Sequence, residues 1–394
     1  MDARWRPGII RPAPGGRYAL SHALLQEVAY ADLSPARRQG LHRRVAETLA
    51  RLEGAPATAT IAVHHERGGS PEAAIASLLA AARQAAGLYA PADAHALAHR
   101  GLTLLGEHEA DGALHPWWRQ AHGELHALVG DLAARREQRD EAHRHYRLAL
   151  ERMSHDVAWR AEVRRRLSAT LINDGRIAAA LSELEAAAAS LGDEEARSQR
   201  AWQVWLDVQA EITRALYFAG GDAWAAAERT VSAMAPVVAR LGTVQQRIAF
   251  AQSVLRVGLR WQRYAADAEL LEHARDLFAT ARELEDVDAI ADARFRLGFV
   301  QLFAGDLSAA RTHLLGALEA ARHSANALLT VRCLAYVGVT MRRQGDAASL
   351  AHQIHPLRDT AEATQQRSYV HMHRAHLAYL ARHRGDWQAA RSHA

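Results

Sequence analysis

The sequence contains no lysine, so all 48 of its basic residues are arginine. This absence excludes a Walker A phosphate loop, a Schiff-base lysine and the phosphate-pairing lysine of protein kinases. Cys333 is the only cysteine, which excludes an internal disulfide and all but excludes a cysteine-based zinc site. The residues present therefore do not support a P-loop ATPase, a Schiff-base enzyme or a protein kinase.

Long apolar runs are also missing. No run of about 18 apolar residues occurs, and the first residues lack the apolar stretch of a signal peptide. The net charge is only +4 over 394 residues, and acidic residues are interleaved with the arginines. This pattern is typical of a solvated helical surface and not of a nucleic-acid interface. We expect a cytoplasmic protein without membrane or direct nucleic-acid partners.

The sequence does contain a regular turn signal. Gly305-Asp306, Gly345-Asp346 and Gly385-Asp386 follow one another at intervals of forty residues. Weaker turn signals lie near positions 69, 137, 175, 221 and 263, and the segments between them have helical apolar spacing. In such a pair, glycine ends the first helix in a left-handed conformation and aspartate caps the second. The period predicts an all-α solenoid of stacked helix pairs, wound as a right-handed superhelix with a concave face.

The N-terminal region has a different composition. Residues 1–17 are rich in proline, glycine and arginine, which favours a loop or a short strand. Ser21 is a predicted N-cap for a helix that ends near Ala31. Ser34-Pro35 has the cap-plus-proline pattern of the next helix start.

One repeat carries a fuller pattern of small and large apolar residues: Leu297-Gly298, Gly305-Asp306, Ala310, Leu314 and Ala317-Leu318. This pattern resembles the tetratricopeptide repeat, although the period here is longer than the 34 residues of that family. The longer form resembles the helical arms of bacterial signal-transduction ATPases, such as the maltose-regulon activator and large LuxR-type regulators. The resemblance implies a tetratricopeptide-like fold whose concave groove holds a protein or peptide partner, or a small effector.

A second segment resembles the same regulators. The stretch Tyr18 to Tyr30, followed by Leu41-His42 and Val45-Ala46, is similar to the end of their winged-helix domain. The implied domains are a winged-helix remnant with its connecting helices over residues 1–52, and tetratricopeptide-like repeats over residues 60–394.

The regulators' ATPase core would precede residue 18, and this sequence does not contain one. We therefore expect a fragment, a truncated gene product or the second half of a split regulator, with no enzymatic activity, no catalytic residue and no cofactor of its own. The resemblance gives His22 the role of a nucleotide sensor, but only if an ATPase module is supplied by another chain. The alternative is a structural histidine that joins the wing to the following helix.

The 23 histidines include pairs with ligand-like spacing. His95 with His99, and His122 with His126, lie four residues apart on one helical face, and His373 lies three residues from His376. A zinc site needs three or four ligands, and no HExxH motif is present. We predict surface or groove histidines and no metal site.

The remaining candidates have simpler explanations. The runs Arg164-Arg165-Arg166 and Arg342-Arg343 are predicted to lie on exposed helix faces. The tryptophans are predicted to pack between helices, with some available to line the groove: Trp117, Trp118, Trp202, Trp205, Trp224 and Trp261.

Two functional hypotheses remain. The first is a non-enzymatic arm of a signal-transduction ATPase-type transcriptional regulator, which binds a partner or effector and transmits that state to an ATPase module. The second is a free-standing tetratricopeptide scaffold that docks peptides or partner proteins. An enzyme hidden in the repeats has no motif to support it.

Overall fold

The computed structural model describes residues 10–13, 17–20, 23–51, 58–88, 90–108, 115–153, 156–194, 197–364 and 366–394. These residues form two short strands and twenty α-helices. By their internal packing they divide into two compact units, Met1–Thr170 and Leu171–Ala394. The predicted all-α class is confirmed, since the two strands form only a small hairpin.

The first unit begins with that hairpin. In order, its elements are β1 Ile10–Ala13, β2 Arg17–Leu20, α1 Ala23–Ala31, α2 Pro35–Arg51, α3 Thr58–Arg67, α4 Pro71–Gly87, α5 Pro91–Glu107, α6 Pro116–Arg135 and α7 Arg139–Arg152. The strands are antiparallel, with Ile10 opposite Leu20 and Ala13 opposite Arg17. Helix α8, Val157–Asn173, contains the boundary between the units.

The second unit is entirely helical in its described residues. Its elements are α9 Ile177–Ser190, α10 Gln199–Ala219, α11 Trp224–Leu241, α12 Val244–Trp261, α13 Ala268–Ala281, α14 Val287–Ala304, α15 Leu307–His323, α16 Ala327–Gln344, α17 Ala347–Gln353, α18 His355–Ala363, α19 Arg367–His383 and α20 Trp387–His393. A helix pair with a turn at Gly345 would have one helix after that turn, but the structure has two, α17 and α18. Pro356 lacks the backbone N–H that a continuous helix would need at that point.

The predicted turns are confirmed at the level of the backbone. Each of the eight turn positions contains a residue with positive φ, including Gly69 (67°), Gly305 (89°), Gly345 (76°) and Gly385 (79°). Glycine has no Cβ and adopts this left-handed conformation at little cost, so it can end a helix where other residues are strained.

The aspartates after these glycines cap the next helices, as predicted. The carboxylate of Asp306 accepts a hydrogen bond from the Ala309 backbone N–H at 3.0 Å, and Asp346 and Asp386 accept from residues 349 and 389 in the same way. Each bond satisfies one of the backbone donors that a helix start leaves unpaired.

Asp306 offers a direct test of this capping. Replacing it with alanine is expected to lower the free energy of unfolding by about 1 kcal/mol, whereas serine, which keeps an acceptor, is expected to cost much less. Urea denaturation followed by circular dichroism measures both changes. Equal losses for the two variants would contradict the capping role.

The helix pairs approach closely where one helix carries glycine. A Cβ at Gly298 in α14 would lie 2.9 Å from Leu314 Cγ and 3.1 Å from the Ala310 carbonyl oxygen in α15. These contacts are closer than ordinary packing allows, so the glycine permits the two helices to meet. A small residue therefore lies where the two helices of this pair approach most closely.

Alternate helices also contact one another along the second unit. Helix α10 packs on α12, α14 packs on α16, and α16 packs on α19, in addition to the contacts between sequence neighbours. The first helices of successive pairs therefore lie side by side. Among the described residues, none of the helices has both the length and the apolar character that crossing a bilayer requires.

Candidate functional site

The stacking of first helices aligns polar side chains that recur every forty residues. One row contains Gln252 on α12, Asp292 on α14 and Arg332 on α16, and a second row, one helical turn later, contains Arg256, Arg296 and Tyr336. Residues four apart share a helix face, so both rows lie on the same side of the stack. We call these six residues the charged ladder.

Asp292 is the centre of the ladder. Its carboxylate accepts hydrogen bonds from Arg296 Nε at 2.7 Å, from an Arg332 guanidinium nitrogen at 2.9 Å and from Gln252 Nε2 at 3.2 Å. Its side chain is 21% exposed. Burial alone would raise its pKa, but the two guanidinium groups outweigh burial and bring the pKa to about 2. Asp292 is therefore ionised and fixes three neighbouring side chains.

Arg256 differs from its neighbours because it has no carboxylate partner among the described residues. It lies partly buried between Arg214 and Arg296, each of which has an acidic partner. Desolvation, followed by the repulsion of Arg296 and Arg214, lowers its pKa to about 9 against the attraction of Glu211 and Asp292. The group still carries its charge at neutral pH. An anion placed beside it would relieve this unfavourable environment.

A row of aromatic side chains borders the ladder. Tyr217 and Tyr264 are joined through their hydroxyl oxygens at 2.8 Å, and the Tyr264 ring lies 5.0 Å from Phe303. Phe299 then lies 5.0 Å from Phe303 and 4.5 Å from Tyr336, edge to face. We call these five residues the aromatic row. They are half-buried or exposed, so the row offers an apolar surface beside a cation.

Comparison with known proteins identifies the fold that carries these residues. No protein-family model matches the sequence, and no curated protein matches it. Among solved structures, one similar chain is a signal-transduction ATPase with numerous domains and a tetratricopeptide repeat sensor, from Pyrococcus horikoshii (TM-score 0.60, 14% identity). The match covers 97% of this chain but only 55% of that one. The fold is tetratricopeptide-like.

Two further structures support the same fold. The quorum sensor NprR from B. thuringiensis has a TM-score of 0.53 and 12% identity, with 90% of this chain and 95% of that chain covered. A Rap protein complexed with Competence and Sporulation Factor has a TM-score of 0.51 and 15% identity, with 82% and 86% covered. In this chain, the charged ladder and four residues of the aromatic row lie on the first helices of the pairs, and Tyr264 lies in the turn that follows α12.

The sequence-predicted histidines fall into three groups. His22 lies outside the described residues, so its role stays a prediction. His95 and His99 are half-buried and adjacent, with ring centroids 4.2 Å apart. The surface or groove placement is wrong for His126 and His376, which are 8% and 1% exposed.

The burial of His376 has a clear packing cause. A Cβ at Gly338 would lie only 2.7 Å from His376 Nε2, so the glycine in α16 leaves the space that the imidazole of α19 occupies. Nε2 lies 3.2 Å from the Ala335 carbonyl oxygen. Burial lowers the pKa of His376 to about 4, and the ring is neutral at physiological pH.

Two of the predicted arginines and three of the predicted tryptophans have structural roles, whereas Trp261 is 66% exposed. Arg165 and Arg166 are half-buried, so their predicted exposure is wrong; Arg166 pairs with Asp131 on another helix at 2.9 Å. Trp118, Trp202 and Trp205 are buried between helices, as predicted, with 1%, 8% and 8% exposure. None of these belongs to the charged ladder.

Sequence reasoning missed the ladder itself. The signal was present, because positions 252, 292 and 332, and likewise 256, 296 and 336, have the same forty-residue spacing as the glycines. Polar residues at equivalent positions of a stacked repeat lie side by side, and this rule alone is enough to place the two rows together.

Proposed function

We propose that this chain is a partner-binding arm, and that it binds a peptide segment of its partner with a carboxylate against Arg256. The observation that carries the proposal is the position of Arg256: a partly buried cation without a carboxylate among the described residues, between two arginines that already have one. A ligand carboxylate would complete the ladder, since guanidinium groups bind carboxylates in a bidentate geometry.

The aromatic row supplies the second half of the binding surface. Phe299 and Tyr336 lie one helical turn or less from Arg296 and Arg332 in the two stacked helices, so a bound segment can place apolar side chains on the rings while its acid reaches Arg256. Aromatic and arginine side chains are the residues that most often dominate such interfaces.

The comparisons support the same class of function. The similar chains include a tetratricopeptide repeat sensor, a quorum sensor and a protein complexed with a factor. At these identities the likeness concerns the fold, and the binding role is our inference for this chain.

Arg256 also supplies the test. A displayed library of random peptides is selected on the full chain, and synthetic copies of the selected peptides are titrated by fluorescence anisotropy against the wild type, Arg256→Gln and Arg275→Gln. We expect acidic peptides and at least about tenfold weaker binding to Arg256→Gln, because a charge-assisted hydrogen bond contributes about 1.5–3 kcal/mol.

Arg275→Gln is the matched control, since Arg275 is an exposed residue of α13 that pairs with Glu272 on its own helix. Its peptide affinity should equal that of the wild type. Peptides without acidic residues that bind Arg256→Gln as well as the wild type would refute the proposed site.

We further propose that the arm belongs to a signal-transduction ATPase-type transcriptional regulator of the LuxR kind. The hairpin β1–β2, followed by α1 and α2, supports a winged-helix remnant over residues 1–52, with the repeats over 60–394. His22 would then contact the phosphates of a nucleotide bound by an ATPase module in another chain. Binding of the partner at Arg256 and the aromatic row would then change the state of that module.

The free-standing scaffold is the second candidate, and one observation favours it. The match to the quorum sensor NprR covers 95% of that protein, so a comparable repeat array occurs without a large additional domain in the compared chain. Translating the DNA upstream of Met1 in all frames separates the two candidates. A G-x-x-x-x-G-K-[ST] motif there favours the regulator, and an independent promoter without one favours the scaffold.

A further inference from the structure

Two helices of the first unit face each other with metal-binding side chains. Helix α5 carries His95 and His99, and α7 carries Glu141 and His145, in each case four residues apart and so on one face. One potential ligand atom from each of His95, His99 and Glu141 lies within 4.8 Å of the other two. The sequence offered only two ligands on each helix, and the fold adds a third from 42 residues away.

His99 is held in this cluster without a hydrogen bond to its inner nitrogen. Its Nε2 is buried and has no hydrogen-bond partner among the described residues. A buried polar atom in this state costs free energy, which a bound cation would recover. Desolvation, then His95, lowers the pKa of His99, so the ring keeps the neutral form that metals bind.

A second histidine pair, His126 with His145, lies next to the cluster. The hydrogen bonds of this pair determine which of its nitrogens carry protons. An Arg144 guanidinium nitrogen lies 3.2 Å from His145 Nε2, and arginine can only donate, so Nε2 accepts. Neutral His145 therefore carries its proton on Nδ1 and donates it to His126 Nδ1 at 2.9 Å. The His145 ring lies 6.2 Å from His99, close to the cluster but engaged with other partners.

The charges around the cluster come from α5 and α7. Glu141 attracts a cation and Arg144 repels one, while burial lowers the pKa of His99 and of His145 and so favours their uncharged forms. A carboxylate that coordinates the ion directly lies closer to it than Arg144 does, so the attraction exceeds the repulsion.

We propose that His95, His99 and Glu141 form a binding site for a divalent transition-metal ion of the zinc type. Two imidazoles and one carboxylate suit zinc, cobalt or nickel, whereas calcium and magnesium prefer sites built from oxygen alone. Bonds of about 2.0–2.2 Å place tetrahedral ligand atoms about 3.5 Å apart, so closing the site requires only side-chain rotation. The fourth position is left to water.

The ion would join α5 to α7, which are separated in the sequence by all of α6. A ligand that binds only the folded state stabilises it, so the first unit should melt at a higher temperature when the metal is present. This stabilisation is independent of peptide binding, since the charged ladder lies in the second unit.

The test uses the full chain after treatment with a chelator. Isothermal titration with zinc chloride is expected to show one tight equivalent, and cobalt is expected to produce visible absorption of a tetrahedral site. His95→Ala and Glu141→Gln should each weaken zinc binding by more than about tenfold, because even an outer partner of a ligand contributes about 10- to 100-fold. Zinc should no longer raise the melting temperature of either variant.

Glu269→Gln is the matched control. Glu269 and His273 are an exposed pair four residues apart on α13, with 4.0 Å between Oε1 and Nε2, but without a third ligand in the described part of the chain. This variant should bind zinc like the wild type. Circular dichroism of the metal-free proteins checks folding, and the nearly isosteric Glu141→Gln decides the question if His95→Ala unfolds.

Several weak zinc equivalents in the wild type, spread over the other histidines, would overturn the proposal. So would a tight equivalent that both His95→Ala and Glu141→Gln retain with unchanged affinity.

Discussion

Replacing Asp292 with asparagine is expected to lower the free energy of unfolding of the second unit by about 2–3 kcal/mol. The carboxylate accepts hydrogen bonds from Arg296, Arg332 and Gln252, and its loss leaves two arginines without their acid beside Arg256. A pKa near 2 instead of about 3.9 corresponds to about 2–3 kcal/mol of stabilisation by itself. The side chain is largely buried, so solvent screens this stabilisation only weakly.

The same residue makes stability depend on pH in a defined direction. The folded pKa lies below the unfolded one, so the stabilisation is fully present above about pH 4–5 and is lost as the pH falls towards about 2. The difference in unfolding free energy between the wild type and Asp292→Asn should therefore shrink over this interval. Other carboxylates titrate in both proteins and cancel in the difference.

Hydrogen exchange of the α14 and α16 peptides, measured by mass spectrometry together with urea denaturation, localises the effect to the ladder. Glu283→Gln is the control, because the pair of Glu283 with Arg247 has both side chains about half exposed, 52% and 45%. Such pairs contribute at most about 1 kcal/mol. If Asp292→Asn were as stable as this control at neutral pH, the ladder would not be an energetically coupled network.

The turns of the fold were predictable because their chemistry is local. A glycine that must adopt positive φ and an aspartate that caps the next helix are adjacent, as in Gly305-Asp306, and their meaning does not depend on distant residues. The break between α17 and α18 does not follow from the repeat period, although its cause, Pro356, is equally local.

The site was less predictable because a helix has several polar positions and its own sequence does not say which one faces the next repeat. Arg166 was predicted to be exposed and pairs instead with Asp131, 35 residues earlier. Glu141 joins His95 and His99 only through tertiary packing. The charged ladder is the exception. Residues forty positions apart lie side by side in this repeat, so the contacts of the ladder can be read from the sequence.

The charged ladder illustrates one consequence of building a protein from stacked pairs. Each pair buries its apolar residues against its neighbours, and the face of the first helices remains free for polar groups that are shared between repeats. Asp292 is shared by three helices in this way. A ligand bound at Arg256 would contact the same shared network, so binding and the packing of adjacent repeats are expected to be coupled.

The close approach of α6 and α7 depends on Gly130, and Gly130→Ala is expected to lower the unfolding free energy of the first unit by about 1–3 kcal/mol. A Cβ there would lie 2.8 Å from both Cδ1 and Cε1 of Tyr146. The ring cannot move aside easily, because it is 2% exposed and its hydroxyl donates to Asp131 Oδ1 at 2.8 Å. The clash outweighs the about 0.5–1 kcal/mol that alanine gains over glycine inside a helix.

Gly40→Ala is the matched control, since Gly40 lies inside α2 of the same unit and an added Cβ meets nothing within 4 Å. The same substitution should there raise stability by about 0.5–1 kcal/mol. Thermal and urea denaturation of both variants measures the opposite signs. Tyr146→Leu adds a double-mutant cycle, in which the smaller side chain should reduce the cost of Gly130→Ala. If Gly130→Ala lowers the unfolding free energy equally in the wild type and in Tyr146→Leu, the clash with the Tyr146 ring is not the reason why position 130 requires glycine.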